Sequence, residues 1–250
     1  MKIIISGAQG AMGNTLVRCA EENPQCEIIM GIDNNTDGAF PYEIVKSPDE
    51  ICPKADVIVD FSNHSLLPSL LKAAVEHKIP MVIGTTGITD FENALIDEAA
   101  KSIAILQSGN MSIGIALMKK LAAICSESLP DFDIEIIEAH HHRKVDSPSG
   151  TAEMLLSSVK STRPEADAKY GRHGRDTKRN PNEITIHSLR AGSIVGEHEV
   201  LFGGPDEIMV IKHTALSRDI FAQGAMKAAF FVANAPIGRY TIDDIIGGSR

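Results

Sequence analysis

No apolar run in these 250 residues approaches the roughly 20 needed to span a bilayer. The N-terminus passes from Met1-Lys2 straight into "IIIS", too short for a signal-peptide core and without a cleavage motif. A cytoplasmic protein with no membrane partner is expected. Cysteine is scarce: Cys19, Cys26, Cys52 and Cys125 form no CxxC pair, which excludes a disulfide framework and predicts unpaired, mostly buried thiols. Net positive charge is also lacking. A formal charge of -9 argues against nucleic acid as the main partner, while leaving room for a local basic site that takes a small anion. With 43% apolar and 23% charged residues, the chain is ordinary for a globular protein of one large domain or two modest ones.

The first hundred residues alternate short apolar runs with amphipathic stretches. Strands are predicted at 2–6, 27–33, 55–61, 80–86 and 103–108, each rich in Ile and Val and nearly continuous, as strands buried on both faces should be. Helices are predicted over 11–22, 65–77 and 90–101, the last opened by a Thr89-x-x-Glu92 capping signature. This alternation predicts a doubly wound parallel sheet. Beyond residue 110 the pattern changes. A helix over 112–128 precedes a more clearly alternating strand at 131–139, then a helix near 151–160 and a long exposed loop over 163–183. Strands within 184–202 and 206–215 and a helix over 218–234 complete the chain. The class expected is α/β: an N-terminal Rossmann-like domain (1–110), a C-terminal α+β domain on a mixed sheet (111–217), and a helix and tail (218–250) that returns to the first domain.

Two motifs carry chemistry. The first strand runs into "GAQGAMG", with Gly7, Gly10 and Gly13 ahead of a helix. A dinucleotide pyrophosphate needs such a side-chain-free turn and a helix N-terminus. The spacing G-x-x-G-x-x-G is not the usual G-x-G-x-x-G, but Asp33 stands about 20 positions on, where a ribose-binding acid belongs. The alternative is a glycine turn that only packs a helix on a sheet. Asn34 follows Asp33 where a 2′-phosphate would want a basic residue, so NADH is expected over NADPH, with Lys46 as a remote phosphate contact. The loops "GTTG" (84–87) and "SGNMS" (108–112) follow strands at the same carboxyl edge; they read as cofactor loops or as well-formed turns.

The second motif is "EAHHHRKVDSPSGTA" (138–152). Adjacent histidines point to different faces and the usual metal-ligand spacings are missing, so no metal is expected. A histidine–lysine pair ahead of a helix N-terminus at Ser149-Gly150-Thr151 suits an anionic substrate that needs a proton. Taken alone, the stretch also reads as a polar loop before an N-capped helix. A dinucleotide-sensing protein would leave the cluster unexplained, and a thioester-forming reductase would need a nucleophilic cysteine beside the histidines.

The stretch 135–152 closely resembles the dihydrodipicolinate reductase signature, Glu-x-x-Glu-x-His-His-x-x-Lys-x-Asp-x-Pro-Ser-Gly-Thr-Ala, matched at every specified position. The resemblance extends to "GAQGAMG", "GTTG", "SGNM" and "RAGSIVGEHEV" (190–200). It implies reduction of 4-hydroxy-tetrahydrodipicolinate by NAD(P)H with loss of water, in lysine and diaminopimelate biosynthesis. It also implies a small dicarboxylate substrate and a homotetramer assembled through the second-domain sheets. His140 would give or take a proton, Lys144 would donate one, and His141, Gly150 and Thr151 would hold carboxylates. Cofactor contacts would come from Gly7, Ala8, Gln9, Gly10, Ala11, Met12, Asp33, Gly84, Thr85, Thr86, Ser108, Gly109, Asn110 and Met111. His142 and Arg143 occupy variable positions and receive no direct role.

Overall fold

A computed structural model describes residues 1–38, 40–51, 54–175 and 177–247. The chain divides into two compact units, Met1–Ile113 with Asp219–Arg250, and Gly114–Arg218.

Unit 1 is built on seven parallel strands. In chain order these are β1 (Lys2–Ser6), β2 (Glu27–Ile32), β3 (Glu43–Val45), β4 (Val57–Asp60), β5 (Met81–Ile83), β6 (Ala104–Gln107) and β12 (Gly238–Tyr240). Across the sheet they run β12-β6-β5-β4-β1-β2-β3, so β1 has β2 on one side and β4 on the other. The order of the chain reverses there, and such a switch point opens a crevice at the carboxyl ends of the strands. Both sheet faces are buried, which is why the strands read as unbroken Ile/Val runs. On one face Ile4, Ile58, Ile83 and Ile105 pack with Leu70, Ala74 and Ile96 from α2 (Leu67–His77) and α3 (Asp90–Ala99). The other face takes α1 (Ala11–Glu21) and α6 (Asp219–Val232). A salt bridge of 2.6 Å between Arg18 and Asp219 links these two helices. Gly224 lets α6 approach the loop after β6 closely, since a Cβ there would lie 1.7 Å from the Met111 carbonyl oxygen. A short helix, α7 (Ile242–Ile246), follows β12.

Unit 2 is a mixed sheet of five strands, β7 (Asp133–His140), β8 (Asp167–Tyr170), β9 (Glu183–Arg190), β10 (Gly196–Gly203) and β11 (Ile208–Ala215), in the order β11-β10-β7-β9-β8. Strands β7, β8 and β9 are parallel, whereas β10 runs against both β7 and β11. One face carries α4 (Ile113–Ser128) and α5 (Gly150–Lys160), with Met118, Ala122, Leu155 and Val159 packed on Ile134, Ile136, Ile184, Ile186, Val200 and Phe202. Strict alternation follows: β7 reads exposed, then buried at every even position.

Two expectations change. The segment 163–183, read as an exposed loop, contributes edge strand β8, and Arg163, Arg172 and Arg179 in it are tied in. Arg163 donates to the carbonyls of Ser126, Leu129 and Phe132, and Arg172 bonds Glu135, Glu183 and Thr185. "DAKY" has weak strand propensity and is held as an edge by its neighbour β9. Hydrogen bonds from Arg172 and Lys169 hold the buried Glu183 carboxyl at about 2. The thiols are less hidden than expected: Cys125 is buried, Cys19 and Cys26 are half-buried, and Cys52 lies outside the described residues.

Candidate active site

At the switch point of unit 1 a cleft of about 380 Å³ is lined by Gly7, Gly10, Ile32, Asp33, Asn34, Lys46 and, after β4, by residues 61–63, 65 and 66. Gly7 adopts φ +78°, and a Cβ there would come within 2.7 Å of the Phe61 carbonyl oxygen. A Cβ at Gly13 would lie 2.0 Å from the Gly7 oxygen. The turn and the helix therefore meet at main-chain contact, which only glycine permits. Gly10 caps α1 without a side-chain bond, leaving the N-terminus to the cleft side of the turn. The Asp33 carboxylate is fixed by two main-chain donors, Gln9 N–H at 2.9 Å and Asn35 N–H at 3.1 Å. Each oxygen keeps a lone pair for a further donor. Ala8 is buried, while Ala11 is exposed and Met12 half-buried.

The loops after β4 and β5 are joined through a buried carboxylate. Asp60 accepts from the Ser62 hydroxyl at 2.6 Å and from the Thr85 hydroxyl at 2.7 Å. Burial pushes its carboxyl up. Gly84 packs against the Phe61 ring, which a Cβ would meet at 2.3 Å, and Thr86 is exposed beside it. After β6, the Ser108 hydroxyl donates to the Asn110 carbonyl at 2.7 Å, and Ser112 N–H bonds the Asn110 side chain at 2.8 Å. Gly109 is exposed in that turn and Met111 is buried beneath it.

In unit 2 the histidine stretch begins at the end of β7. Glu138 and His140, two apart on a strand, share the helix-covered face. Glu138 is fully buried and accepts from Arg190 bidentately at 2.7 and 2.9 Å, from His140 Nδ1 at 2.5 Å, and from Ser149 N–H at 3.1 Å. Burial would raise its pKa, but hydrogen bonds from Arg190, His140 and Ser188 outweigh that and hold it below the usual carboxylate value. An ionised carboxylate only accepts, so His140 carries its proton on Nδ1 and, when neutral, its lone pair on Nε2. That nitrogen points toward Gly196, where a Cβ would crowd it to 3.2 Å.

His198 stands edge-on to His140 with ring centroids 5.2 Å apart, and its Nε2 lies 3.1 Å from the Ser149 hydroxyl. Burial, with the neighbouring His140, brings His198 down to about 4, so it is neutral at pH 7. Ser149 also caps α5 by accepting from Ala152 N–H at 3.2 Å. Gly150 opens the helix, and a Cβ there would meet nothing within 4 Å; Thr151 follows, half-buried. Lys144 is largely buried and pairs with Asp146 at 2.8 Å. Desolvation, reinforced by Arg143, Arg218, His140 and Lys144, lowers the pKa of His141. His142 turns away to the Gly192 carbonyl at 2.9 Å, and Arg143 is exposed. No three His, Cys, Asp or Glu side chains converge to hold a metal among the described residues.

Glu138 ties His140 at the end of β7 to Ser149 at the start of α5, and His141, Lys144, Gly150 and Thr151 belong to the same stretch of chain. Residues 1–111 match the family described as dihydrodipicolinate reductase, N-terminus, and residues 114–246 match dihydrodipicolinate reductase, C-terminus. The chain belongs to the dihydrodipicolinate reductase family. Among its relatives, the 4-hydroxy-tetrahydrodipicolinate reductase of Caldanaerobacter subterraneus subsp. tengcongensis is 43% identical over 249 residues, covering 98% of each chain. The Staphylococcus aureus enzyme of that name is 43% identical over 245 residues, covering 98% of this chain and 100% of its own. The fold is similar to that of dipicolinate-bound dihydrodipicolinate reductase from Paenisporosarcina sp. TG-14. The TM-score is 0.84 at 24% identity, covering 98% of this chain and 99% of that one.

Sequence reasoning singled out neither Glu138 nor Arg190 for a role. The signal for Glu138 was present, because Glu-x-His within a strand places both side chains on one face. Arg190 becomes visible only through the register, which pairs it with His140 across β7 and β9.

Proposed function

We propose that the protein reduces 4-hydroxy-tetrahydrodipicolinate to tetrahydrodipicolinate with loss of water, using NAD(P)H, in lysine and diaminopimelate biosynthesis. One observation carries the reading beyond family membership. A histidine anchored on a buried carboxylate, a lysine and an open helix N-terminus lie within the 14 residues from Glu138 to Thr151. A small dicarboxylate that must be both held and protonated needs that combination. Unit 1 suits the dinucleotide: the Gly7–Met12 turn and the N-terminus of α1 would take the pyrophosphate, and Asp33 the adenosine ribose. The loops 84–86 and 108–111 would bound the nicotinamide end. NAD(P)H supplies the hydride.

The chain's own residues do the rest. His140, its tautomer fixed by Glu138, gives or takes a proton at Nε2. Lys144 donates a proton, and its charge with those of Arg143 and Arg218 attracts a dicarboxylate into an otherwise acidic protein. One substrate carboxylate binds at the N-terminus of α5, where the helix dipole and the Gly150 and Thr151 main chain favour negative charge. His141 lies beside it. Asp33 repels a 2′-phosphate and Asn34 offers it no charge, so NADH is the preferred cofactor, with Lys46 in the same cleft allowing some use of NADPH.

A homotetramer through the unit 2 sheets fits the outer face of that sheet, which no helix among the described residues of unit 2 covers. By strand alternation, Leu189, Ile208 and Val210 project there and are 49%, 68% and 45% exposed. The compartment proposed is the cytoplasm; no helix among the described residues is long and apolar enough to cross a membrane.

The test couples the purified protein to a synthase that makes the substrate from pyruvate and aspartate semialdehyde, following NADH and NADPH absorbance in parallel. Synthase-dependent oxidation is expected, faster with NADH. Folded protein that binds NADH yet oxidises neither cofactor would refute the activity, and equal efficiencies would refute the preference.

A further inference from the structure

The loop after β4 and the loop after β5 are tied together twice. Asp60, 0% exposed, joins Ser62 to Thr85. Glu92, 5% exposed, joins His64 to Thr89: its Oε1 accepts from His64 Nδ1 at 2.7 Å, and its Oε2 accepts from Thr89 N–H at 2.7 Å and the Thr89 hydroxyl at 2.8 Å. The Thr89 bonds are the capping box of α3, which any helix of this sequence could make alone. The His64 bond is different. It reaches 28 positions back to the 3₁₀ turn over 64–66, whose neighbours Ser62, Asn63, Ser65 and Leu66 line the cleft with Gly7 and Asp33. His64 itself is not among the lining residues; it stands behind them, and its ring is the nearest neighbour, at 3.9 Å, of a Cβ placed on Gly87 of the "GTTG" loop.

We propose that His64 is a positioning residue for the dinucleotide cleft, fixing the loop after β4 against the loop after β5 through the Glu92 carboxylate. The two ties are of different kinds. Asp60 is sealed in the interior at the last residue of β4, so removing it disturbs the strand end as well as the loops. The side chain of His64 is 41% exposed and touches its partner from outside, so it can be removed with little effect on the core. Without it the loops are held at one end only and spend part of their time apart. Apparent affinity for a ligand that needs both loops in place then falls by the fraction of time they are correctly set. Chemistry after binding is unaffected, because His64 touches neither of the proposed proton-transfer residues.

This rests on the reading that unit 1 binds a nicotinamide dinucleotide. The experiment compares the wild-type full chain with His64→Ala and His64→Asn by NADH fluorescence titration, coupled turnover and thermal unfolding. Asparagine is the conservative variant, since its Nδ2 can replace the histidine Nδ1 as donor to Glu92. His64→Ala is expected to raise the NADH Kd and KM roughly three- to tenfold, the worth of one net hydrogen bond, with kcat within about twofold of wild type. His64→Asn should recover most of the loss. An alanine variant with wild-type NADH affinity overturns the proposal. So does one that loses affinity, kcat and melting temperature together without rescue by asparagine, which would make His64 a general stability residue. Wild-type protein that binds neither NADH nor NADPH would remove the cofactor reading itself, and the proposal with it.

Discussion

The cleft of unit 1 and the histidine site of unit 2 are built from opposite materials. The cleft is made of main chain and missing side chains: Gly7, Gly13 and Gly84 sit where any Cβ would strike a carbonyl oxygen or the Phe61 ring. The histidine site is made of side chains gathered on one buried carboxylate, Glu138, which orients His140, receives Arg190 and anchors the start of α5 through Ser149. Its helix-covered face also grades along the strands. Rows through Ile134 and Ile136 are apolar across β9, β7 and β10; the next row brings Ser188, Glu138 and His198, and the last pairs Arg190 with His140, whose ring lies against Gly196. The apolar rows stabilise unit 2 and the polar rows carry its proposed chemistry, so the two kinds of substitution should separate cleanly.

The largest break is expected at the proposed proton-transfer residues. Lys144→Ala and His140→Gln should each lower kcat by roughly 10²–10⁴, the usual worth of a positioned acid or base. NADH affinity should stay near wild type, because both changes fall in the other unit. Coupled turnover beside NADH titration would separate the two quantities. Should His140→Gln lower the melting temperature in step with activity, the histidine would be a packing residue and the contrast between the regions would fail.

A second test sets one glycine against another. Gly13→Ala must fit a Cβ 2.0 Å from the Gly7 oxygen, and neither backbone can yield. It should destabilise unit 1 by about 1–3 kcal/mol, as overpacking does, and abolish tight NADH binding. Gly150→Ala meets nothing within 4 Å and lies at the first helical position, where alanine is the better helix former. It should melt no lower than wild type, while KM for the dicarboxylate rises about tenfold through crowding at the helix N-terminus. Thermal unfolding and substrate titration of both variants would decide. A fall in melting temperature for Gly150→Ala would show that this glycine is structural too.

These materials also explain what was legible in the sequence. The parallel sheet could be read from its continuous Ile/Val runs, and the glycine turn from its place after the first strand, because each demand is local. Strand β8 was missed because "DAKY" carries no strong strand preference; its neighbours hold it there. Arg190 and Glu138 were missed as a pair because they are 52 residues apart, and only the parallel register of β7 with β9 brings them together. The His64–Glu92 tie has the same character: a capping box was evident at Thr89 and Glu92, but the third partner comes from another loop.

The smallest effect is expected at Lys46, and it bears on the one part of the unit 1 cleft that depends on side-chain charge. Lys46 lines the cleft with Asp33 and Asn34, but the ribose hydroxyls would be bound by the Asp33 carboxylate in the proposed reading, not by a cation. Its charge therefore matters only to a cofactor that brings a 2′-phosphate. Lys46→Ala should raise KM for NADPH by about two- to fivefold, the worth of one exposed ion pair of under 1 kcal/mol, and leave KM for NADH unchanged. The NADPH effect should shrink as salt is raised, since the Debye length falls to about 8 Å near 0.15 M. Equal losses for both cofactors would place Lys46 against the shared part of the dinucleotide, and the charge contrast between Asp33 and Lys46 would no longer account for cofactor choice.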